Sequence, residues 1–249
     1  MLEVRSISKS FGGLAAVSEA TLTVPQGKIV SLIGPNGAGK TTLFALISGF
    51  LKPDQGRVTC NGLGITNQRP HRICQQGLVR TFQVVKPFAN LTVRENIAVA
   101  AHTRIAKRAL ALDKAAEVAA RVGLEGALEQ SAGALTIAGR KRLELARALA
   151  TEPKLLLLDE VMAGLNATEI HEIVDIIRSI RDAGVTIFLI EHVMQAVMSL
   201  SDYTYVLNHG AMIADGEPRA VTSSPQVIEA YLGHGAAERI AAMAGKFDA

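Results

Sequence analysis

The chain has 249 residues, of which 49% are hydrophobic and 20% are charged, so it can bury a sizeable core and wholesale disorder is excluded. Its two cysteines exclude a disulfide scaffold, and a net charge of +3 without a basic tract argues against nucleic-acid binding. Because no apolar run approaches the ~20 residues of a membrane span and the N-terminus lacks a secretory signal, we expect a protein of the reducing cytosol.

The first predicted elements are two strands, a glycine-rich loop and a helix. Residues 21–24 alternate in polarity, as in a half-buried strand, and residues 29–33 form a more buried apolar strand. The glycine-rich segment follows directly. Leu43 and Ile47 then mark the apolar face of a helix that Gly49 closes.

The middle of the chain is predicted to be helical. Residues 92–95 have the form of a capping box, and helices are predicted at 109–122 and 140–150. After them come, in order, strand 155–158, helix 168–183, strand 185–190, helix 193–200 and strand 203–207. This alternation is typical of a parallel sheet with helices on its faces, so the helical stretch is interpreted as an insertion into an α/β core.

The glycine-rich loop fits the phosphate-binding pattern G-x-x-x-x-G-K-[ST]. Its candidate nucleotide-binding residues are Gly34, Pro35, Asn36, Gly37, Ala38, Gly39, Lys40, Thr41 and Thr42. Between a strand and a helix, the backbone N–H groups of such a loop surround phosphate oxygens. Lys40 is predicted to reach the β- and γ-phosphates, and the Thr41 hydroxyl to bind Mg²⁺. A chance match is the alternative, and the strand–loop–helix context disfavours it.

An acidic pair, Asp159-Glu160, follows the apolar strand at 155–158. As in other P-loop enzymes, Asp159 is placed to hold Mg²⁺ and Glu160 to activate the attacking water. Acidic residues also end strands simply for solubility. Because the pair occurs together with a phosphate loop, the functional interpretation is favoured.

Five further segments carry a family resemblance: Phe11-Gly12-Gly13-Leu14-Ala15-Ala16-Val17, Val79-Arg80-Thr81-Phe82-Gln83, Ala163-Gly164-Leu165-Asn166, Ile190-Glu191-His192 and Val227-Ile228-Glu229-Ala230-Tyr231-Leu232-Gly233. With them the chain resembles, over nearly its whole length, the ATP-binding subunit of an ABC transporter. It is most similar to the G-type ATPase subunit of importers for branched-chain and other hydrophobic amino acids.

The resemblance implies an α/β fold of the P-loop NTPase class, the ABC ATPase fold, in a single ATP-binding domain. Its mostly parallel RecA-like core, with an N-terminal antiparallel β part, would occupy about 1–86 and 152–232. An inserted α-helical subdomain would occupy about 87–151, and a weakly helical tail 233–249.

The resemblance also implies site roles. Phe11 aligns with an aromatic that stacks on adenine, for which a flat apolar face suffices, and Val17 lies beside the nucleotide. Gln83 corresponds to an amide that meets Mg²⁺ or the lytic water, His192 to a γ-phosphate contact in the catalytic set, and Asn166 to a dimer-interface loop. A core Phe and a structural His are the alternatives for Phe11 and His192.

One segment departs from the family. The usual signature, Leu-Ser-Gly-Gly-Gln, completes the partner's γ-phosphate site from a helix N-terminus, and here it is Leu135-Thr136-Ile137-Ala138-Gly139. Thr136 keeps a hydroxyl, but Ala138 adds a methyl group and Gly139 lacks the amide. Either the site works with this signature, or the chain completes its partner's site poorly and relies on a partner for its own, and we favour the first. The following Arg140-Lys141-Arg142 is interpreted as a solvated helix face.

Taken together, the resemblance implies an ATPase subunit of an importer, with ATP and Mg²⁺ as cofactors. It would lie on the cytoplasmic face of the inner cell membrane as a peripheral protein. Its partners would be a second ATPase subunit, identical or a sister chain, two transmembrane permease subunits and, indirectly, a solute-binding protein. Val84, Lys86 and Phe88 are expected in the groove that docks the membrane subunit. The alternatives are a soluble ABC ATPase acting on nucleic acid or ribosomes, and a low-turnover regulatory subunit.

Overall fold

The computed structural model describes residues 1–232. The strands are β1 (Leu2–Phe11), β2 (Leu14–Val24), β3 (Ile29–Ile33), β4 (Gln55–Cys60), β5 (Leu63–Gly64), β6 (Leu78–Arg80), β7 (Leu155–Asp159), β8 (Thr186–Ile190), β9 (Tyr203–Asn208) and β10 (Ala211–Gly216). The helices are α1 (Lys40–Ile47), α2 (Pro70–Gln75), α3 (Val93–Ala101), α4 (Arg108–Arg121), α5 (Ile137–Ala150), α6 (Ala167–Asp182), α7 (Met194–Leu200), α8 (Pro218–Thr222) and α9 (Pro225–Leu232). The predicted elements occur with ends shifted by a few residues, except that the strand predicted at 21–24 begins already at Leu14. The predicted tail at 233–249 lies outside the described residues.

A six-stranded sheet in the order β10-β9-β3-β8-β7-β6 forms the centre of the fold. All its neighbouring strands are parallel except β10, which pairs antiparallel with β9 at the edge. The carboxyl ends of parallel strands meet at one edge of a sheet, where α/β proteins bind ligands. At this edge β3 leads into the glycine-rich loop, β7 ends at Asp159, and β8 ends before His192.

A second, antiparallel sheet has the order β2-β1-β4-β5. The sequence predicts only residues 21–24 of it, because the pairing of β1 with β2 shifts register between Val4 and Ile7, and again before Lys9 and before Ser10. Such irregularities interrupt the two-residue alternation on which strand prediction depends.

Two apolar clusters cover opposite faces of the six-stranded sheet. Leu155 and Leu157 of β7 belong to the cluster that includes α1 and the antiparallel sheet, while Leu156 and Leu158 belong to the cluster with α3 to α6. All residues of β3, β7 and β8 are buried. Strands covered on both faces have continuous apolar sequences, which is why these three strands were predictable.

Helices α3, α4 and α5 occupy the stretch predicted to be helical and pack against one another. The predicted capping box is confirmed: Thr92 Oγ1 accepts from the Glu95 N–H at 3.1 Å, and Glu95 Oε2 accepts from the Thr92 N–H at 3.0 Å. The proposed boundaries of a helical subdomain stay a prediction. Among the helices of residues 1–232, none combines the length and apolarity that crossing a membrane requires.

Candidate nucleotide site

The glycine-rich loop at the end of β3 lies in a cleft of about 940 Å³. Three predicted segments meet it there, since Gln83, Glu160 and His192 line the same cleft. From the loop, the lining residues are Gly34, Pro35, Asn36, Gly37, Ala38, Gly39, Lys40, Thr41 and Thr42. Residues that are distant in sequence and were singled out for phosphate chemistry are therefore brought together.

Two loop positions accept only glycine. Gly39, the N-cap of α1, has a φ of 105°, and a Cβ there would lie 2.2 Å from the Ala16 carbonyl oxygen. At Gly34 a Cβ would lie 2.0 Å from the Leu207 carbonyl oxygen. The backbone can thus curve tightly into the N-terminus of α1, where N–H groups and the helix dipole favour an anion.

Replacing Gly39 by alanine should destabilise the protein, because the left-handed φ alone costs about 1–3 kcal/mol and the new methyl group also meets backbone. Gly37→Ala is the matched control in the same loop, since Gly37 also has a positive φ, 79°, but its Cβ would meet nothing within 4 Å. Urea unfolding of both variants should show the larger loss of unfolding free energy for Gly39→Ala. Equal losses would contradict the steric argument.

Lys40 lies inside the curve of the loop. Its Nζ donates to the carbonyl oxygens of Gly34 and Pro35 at 2.7 and 3.0 Å, and the residue is 6% exposed. Burial lowers the pKa of Lys40, while the nearby carboxylates of Glu160 and Asp159 raise it. The ammonium group is therefore held where phosphate oxygens would enter the loop.

Asp159, at the end of β7, is buried and paired with a cation. Arg80 Nη2 donates to Asp159 Oδ2 at 2.7 Å, and the second oxygen, Oδ1, is buried without a hydrogen-bond partner. Burial raises the pKa of Asp159, and the hydrogen bond and charge of Arg80 lower it. One carboxylate oxygen is thus available for a further ligand.

The residues present fit a magnesium ion. Thr41, Gln83 and Asp159, the three predicted metal ligands, line one cavity of about 620 Å³ beside the cleft, and the unpartnered Asp159 Oδ1 supplies a free acceptor. Within residues 1–232 no three His, Cys, Asp or Glu side chains form a metal cluster. Mg²⁺ usually takes one or two carboxylates together with substrate phosphates, so such a cluster is not needed.

Glu160 and Gln83 are in direct contact. Gln83 Nε2 donates to Glu160 Oε2 at 2.5 Å. Glu160 has a positive φ of 49°, and its N–H donates to the Ile190 carbonyl oxygen at 3.0 Å. Glu160, the candidate base, is therefore hydrogen-bonded to Gln83, the candidate water-orienting amide. Its strained backbone is hydrogen-bonded to the end of β8.

Comparison with known proteins identifies the family. A family model described as "ABC transporter" matches residues 17–163, more than half of the chain. The chain belongs to the ATP-binding proteins of ABC transporters. A second family model, described as "Branched-chain amino acid ATP-binding cassette transporter", matches residues 211–237.

Individual relatives and structures agree with this family. The chain is 41% identical to the high-affinity branched-chain amino acid transport ATP-binding protein BraF of Pseudomonas aeruginosa and to LivG of Escherichia coli, and each match covers 94% of this chain and 98% of the relative. A crystal structure of a nucleotide-free ATP-binding cassette from an ABC transporter superposes with a TM-score of 0.87 at 32% identity. An ADP-bound cassette superposes with a TM-score of 0.86 at 33% identity, and both structural matches cover 94% of this chain and 99% of the other. The predicted family and fold class are confirmed.

Two predicted nucleotide contacts of this ABC protein lie outside the cleft lining. Phe11 is at the end of β1, 48% exposed, with Lys9 Nζ 5.6 Å from its ring centroid. Val17 is buried in the core at 1% exposure. Leu14, which pairs with Phe11 across the hairpin, does line the cleft. The adenine contacts of Phe11 and Val17 stay predictions.

The divergent signature lies apart from the chain's own phosphate loop. Thr136, Ala138 and Gly139 line a separate cavity of about 310 Å³ at the start of α5. Thr136 caps this helix, because its Oγ1 accepts from the Gly139 N–H at 3.1 Å. Asn166 likewise caps α6, where its side chain accepts from the Glu169 N–H at 3.0 Å.

The interpretation of residues 140–142 as a solvated face is wrong for Lys141. This residue is 6% exposed, and its Nζ donates to the carbonyl oxygens of Gln83 and Glu160 at 3.2 and 3.0 Å. Helical spacing was the missed signal, since Lys141 follows buried Ala138 by three residues and precedes buried Leu145 by four.

Other residues of the site carried no sequence signal for their role. Arg80 occurs in one of the family segments, and the resemblance assigns it no role, yet it forms the ion pair with Asp159 and lies over the rings of Phe44 and Phe82. Tyr231 of α9 lines the cleft beside the phosphate loop. Burial raises the pKa of the Tyr231 phenol, and a hydrogen bond with the Gly34 backbone lowers it.

Proposed function

We propose that this ABC protein is the ATP-hydrolysing subunit of an importer for branched-chain or related amino acids. The observation that carries the proposal is the convergence of the phosphate loop, Asp159, Glu160, Gln83 and His192 on one edge of the sheet. The amino acid substrate is supported by relatives named for branched-chain amino acid transport, which match over 94% of the chain.

In the proposed reaction the chain's own residues bind ATP and move one proton. Lys40 and the loop amides stabilise charge that develops on the transferred phosphate. Glu160 accepts the proton of the attacking water, which Gln83 and His192 orient. Thr41, Asp159 and Gln83 would hold Mg²⁺, which when bound neutralises charge on the β- and γ-phosphate oxygens.

A second ATPase subunit is proposed to complete each site. Thr136, Ala138 and Gly139 line a cavity that shares no lining residue with the nucleotide cleft, which supports a site completed by another chain. In a head-to-tail pair they would face the partner's nucleotide from the N-terminus of α5, where the helix dipole favours an anion. The partner is an identical copy or a sister subunit.

The membrane subunits are proposed to dock beside Gln83. Val84 is 67% exposed and Phe88 is 48% exposed, and Val84 and Lys86 line the 620 Å³ cavity. Exposed apolar side chains grouped beside a cavity are typical of an interaction surface. In each ATPase subunit this groove would dock one of the two permease subunits, on the cytoplasmic face of the membrane, and a solute-binding protein would act through the permease subunits.

The proposal predicts Mg²⁺-dependent ATP hydrolysis by the protein assembled with its two permease subunits in vesicles. Steady-state phosphate release and uptake of radiolabelled leucine should both occur, and EDTA should abolish them because the phosphate charge is then uncompensated. Tight ATP binding without turnover in the complete complex would instead support a regulatory subunit. Salt-sensitive binding to RNA or DNA would support the nucleic-acid alternative.

A further inference from the structure

Lys141 is a buried ammonium group that joins two functional loops. It lies in the second turn of α5, yet its Nζ donates to the Gln83 carbonyl oxygen in the loop after β6 and to the Glu160 carbonyl oxygen after β7. These partners are 58 and 19 residues away in sequence. A buried lysine that donates to two backbone carbonyls fixes their separation, because neither carbonyl can move without losing a charge-assisted hydrogen bond.

The Glu160 carbonyl belongs to a strained residue. A positive φ at a residue other than glycine costs of order 1–3 kcal/mol and persists only where surrounding contacts over-determine it. At Glu160 the N–H donates to Ile190 and the carbonyl oxygen accepts from Lys141, so both ends of the residue are held. These two bonds define the direction in which the Glu160 carboxylate projects from the backbone.

Four carboxylates interact with the buried Lys141 ammonium group. Burial has the larger influence and lowers the pKa of Lys141 below its ordinary value, and the carboxylates of Glu191, Glu160, Asp159 and Glu144 partly offset it. The cation therefore balances negative charge at the edge of the sheet without lining the nucleotide cleft. A direct contact between Lys141 and ATP is thus not part of its role.

We propose that Lys141 is a positioning residue of the ATPase site, which holds the backbones of Glu160 and Gln83 in the arrangement needed for hydrolysis. This inference rests on the proposed function. The same side chain joins both loops to α5. Thr136, the N-cap of α5, precedes Lys141 by five residues, which is about 7.5 Å along the helix axis at a rise of 1.5 Å per residue. Lys141 thereby links the base of one site to the helix that would complete the partner's site.

The test compares Lys141→Met, Lys141→Arg and Lys107→Met in the assembled complex. Lys107 is an exposed lysine before α4 and serves as the matched control. Because misplacing a catalytic group by about 1 Å can cost 100-fold, Lys141→Met should lower kcat by about 100-fold. The ATP dissociation constant should change by less than about 3-fold, since an interaction that acts only in the transition state leaves ground-state binding intact.

Arginine can donate to both carbonyl oxygens, so Lys141→Arg should recover most of kcat, and Lys107→Met should match the wild type.

Hydrogen exchange gives a second measurement that is independent of turnover: residues 82–86 and 159–163 should exchange faster in Lys141→Met, with α4 unchanged. If Lys141→Met does not fold, Lys141→Gln replaces it. Its amide NH2 keeps two N–H donors but loses the positive charge, so an intermediate kcat is expected.

Three results separate the hypotheses. A wild-type kcat in folded Lys141→Met overturns the role of Lys141. Parallel losses of ATP affinity, kcat and thermal stability, without rescue by arginine, also overturn it, because they indicate a structural role alone. A wild-type complex that hydrolyses no ATP contradicts the proposed function, while hydrogen exchange still decides whether Lys141 holds the two loops.

Discussion

Glu160→Gln should abolish ATP hydrolysis while ATP binding persists. The substitution keeps the size of the side chain and an oxygen that can accept from Gln83, but an amide cannot take a proton from water. General-base catalysis typically contributes about 10²–10⁴-fold, so we expect a fall in kcat of that size. Steady-state phosphate release, with ATP affinity measured separately, checks the prediction.

Blocked hydrolysis should also trap the closed ATPase pair. Light scattering after size exclusion, with and without ATP, measures the mass of Glu160→Gln in solution. A dimer that forms only with ATP would indicate that Thr136, Ala138 and Gly139 can complete a symmetric site, and a monomer that binds ATP would indicate an obligate sister subunit. Glu117→Gln, a surface change on α4, is the control. Undiminished turnover in Glu160→Gln would rule out Glu160 as the base.

Lys40→Met should remove nucleotide binding. The variant keeps the apolar stem of a side chain that is 6% exposed, but it removes the ammonium that lies within the loop. A hydrogen bond to a charged group contributes about 1.5–3 kcal/mol. Because the β- and γ-phosphates would both lose a hydrogen bond from Lys40, ATP affinity should fall by roughly 100-fold or more. Equilibrium binding of a fluorescent ATP analogue measures the change.

The matched control for Lys40→Met is Lys52→Met, an exposed lysine shortly after α1. Its ATP affinity should equal that of the wild type, since the charge is removed outside the cleft. Tight binding of ATP by Lys40→Met would show that the phosphate loop has been misassigned.

The α/β architecture and the strand–loop–helix geometry of the candidate phosphate site were predictable because their signals are local. The strand, loop and helix from Ile29 to Ile47 are continuous in sequence, and β3, β7 and β8 are apolar throughout because both of their faces are covered. The positions of Asp159 and Glu160 followed from the end of β7. The bulged strands of the antiparallel sheet were mostly missed, because register shifts hide the alternation.

The sequence by itself determined which residues are the candidates for phosphate chemistry, since that information lies in short motifs and in the strand or helix that holds them. Only the tertiary structure decided which charged side chains support those motifs. Arg80 pairs with Asp159, which is 79 residues away, and Lys141 bonds to Gln83 and Glu160 from another helix. The physical reason is that a buried charge is stabilised by partners that packing brings close. Composition and periodicity do not indicate which residues distant in sequence will be close in space.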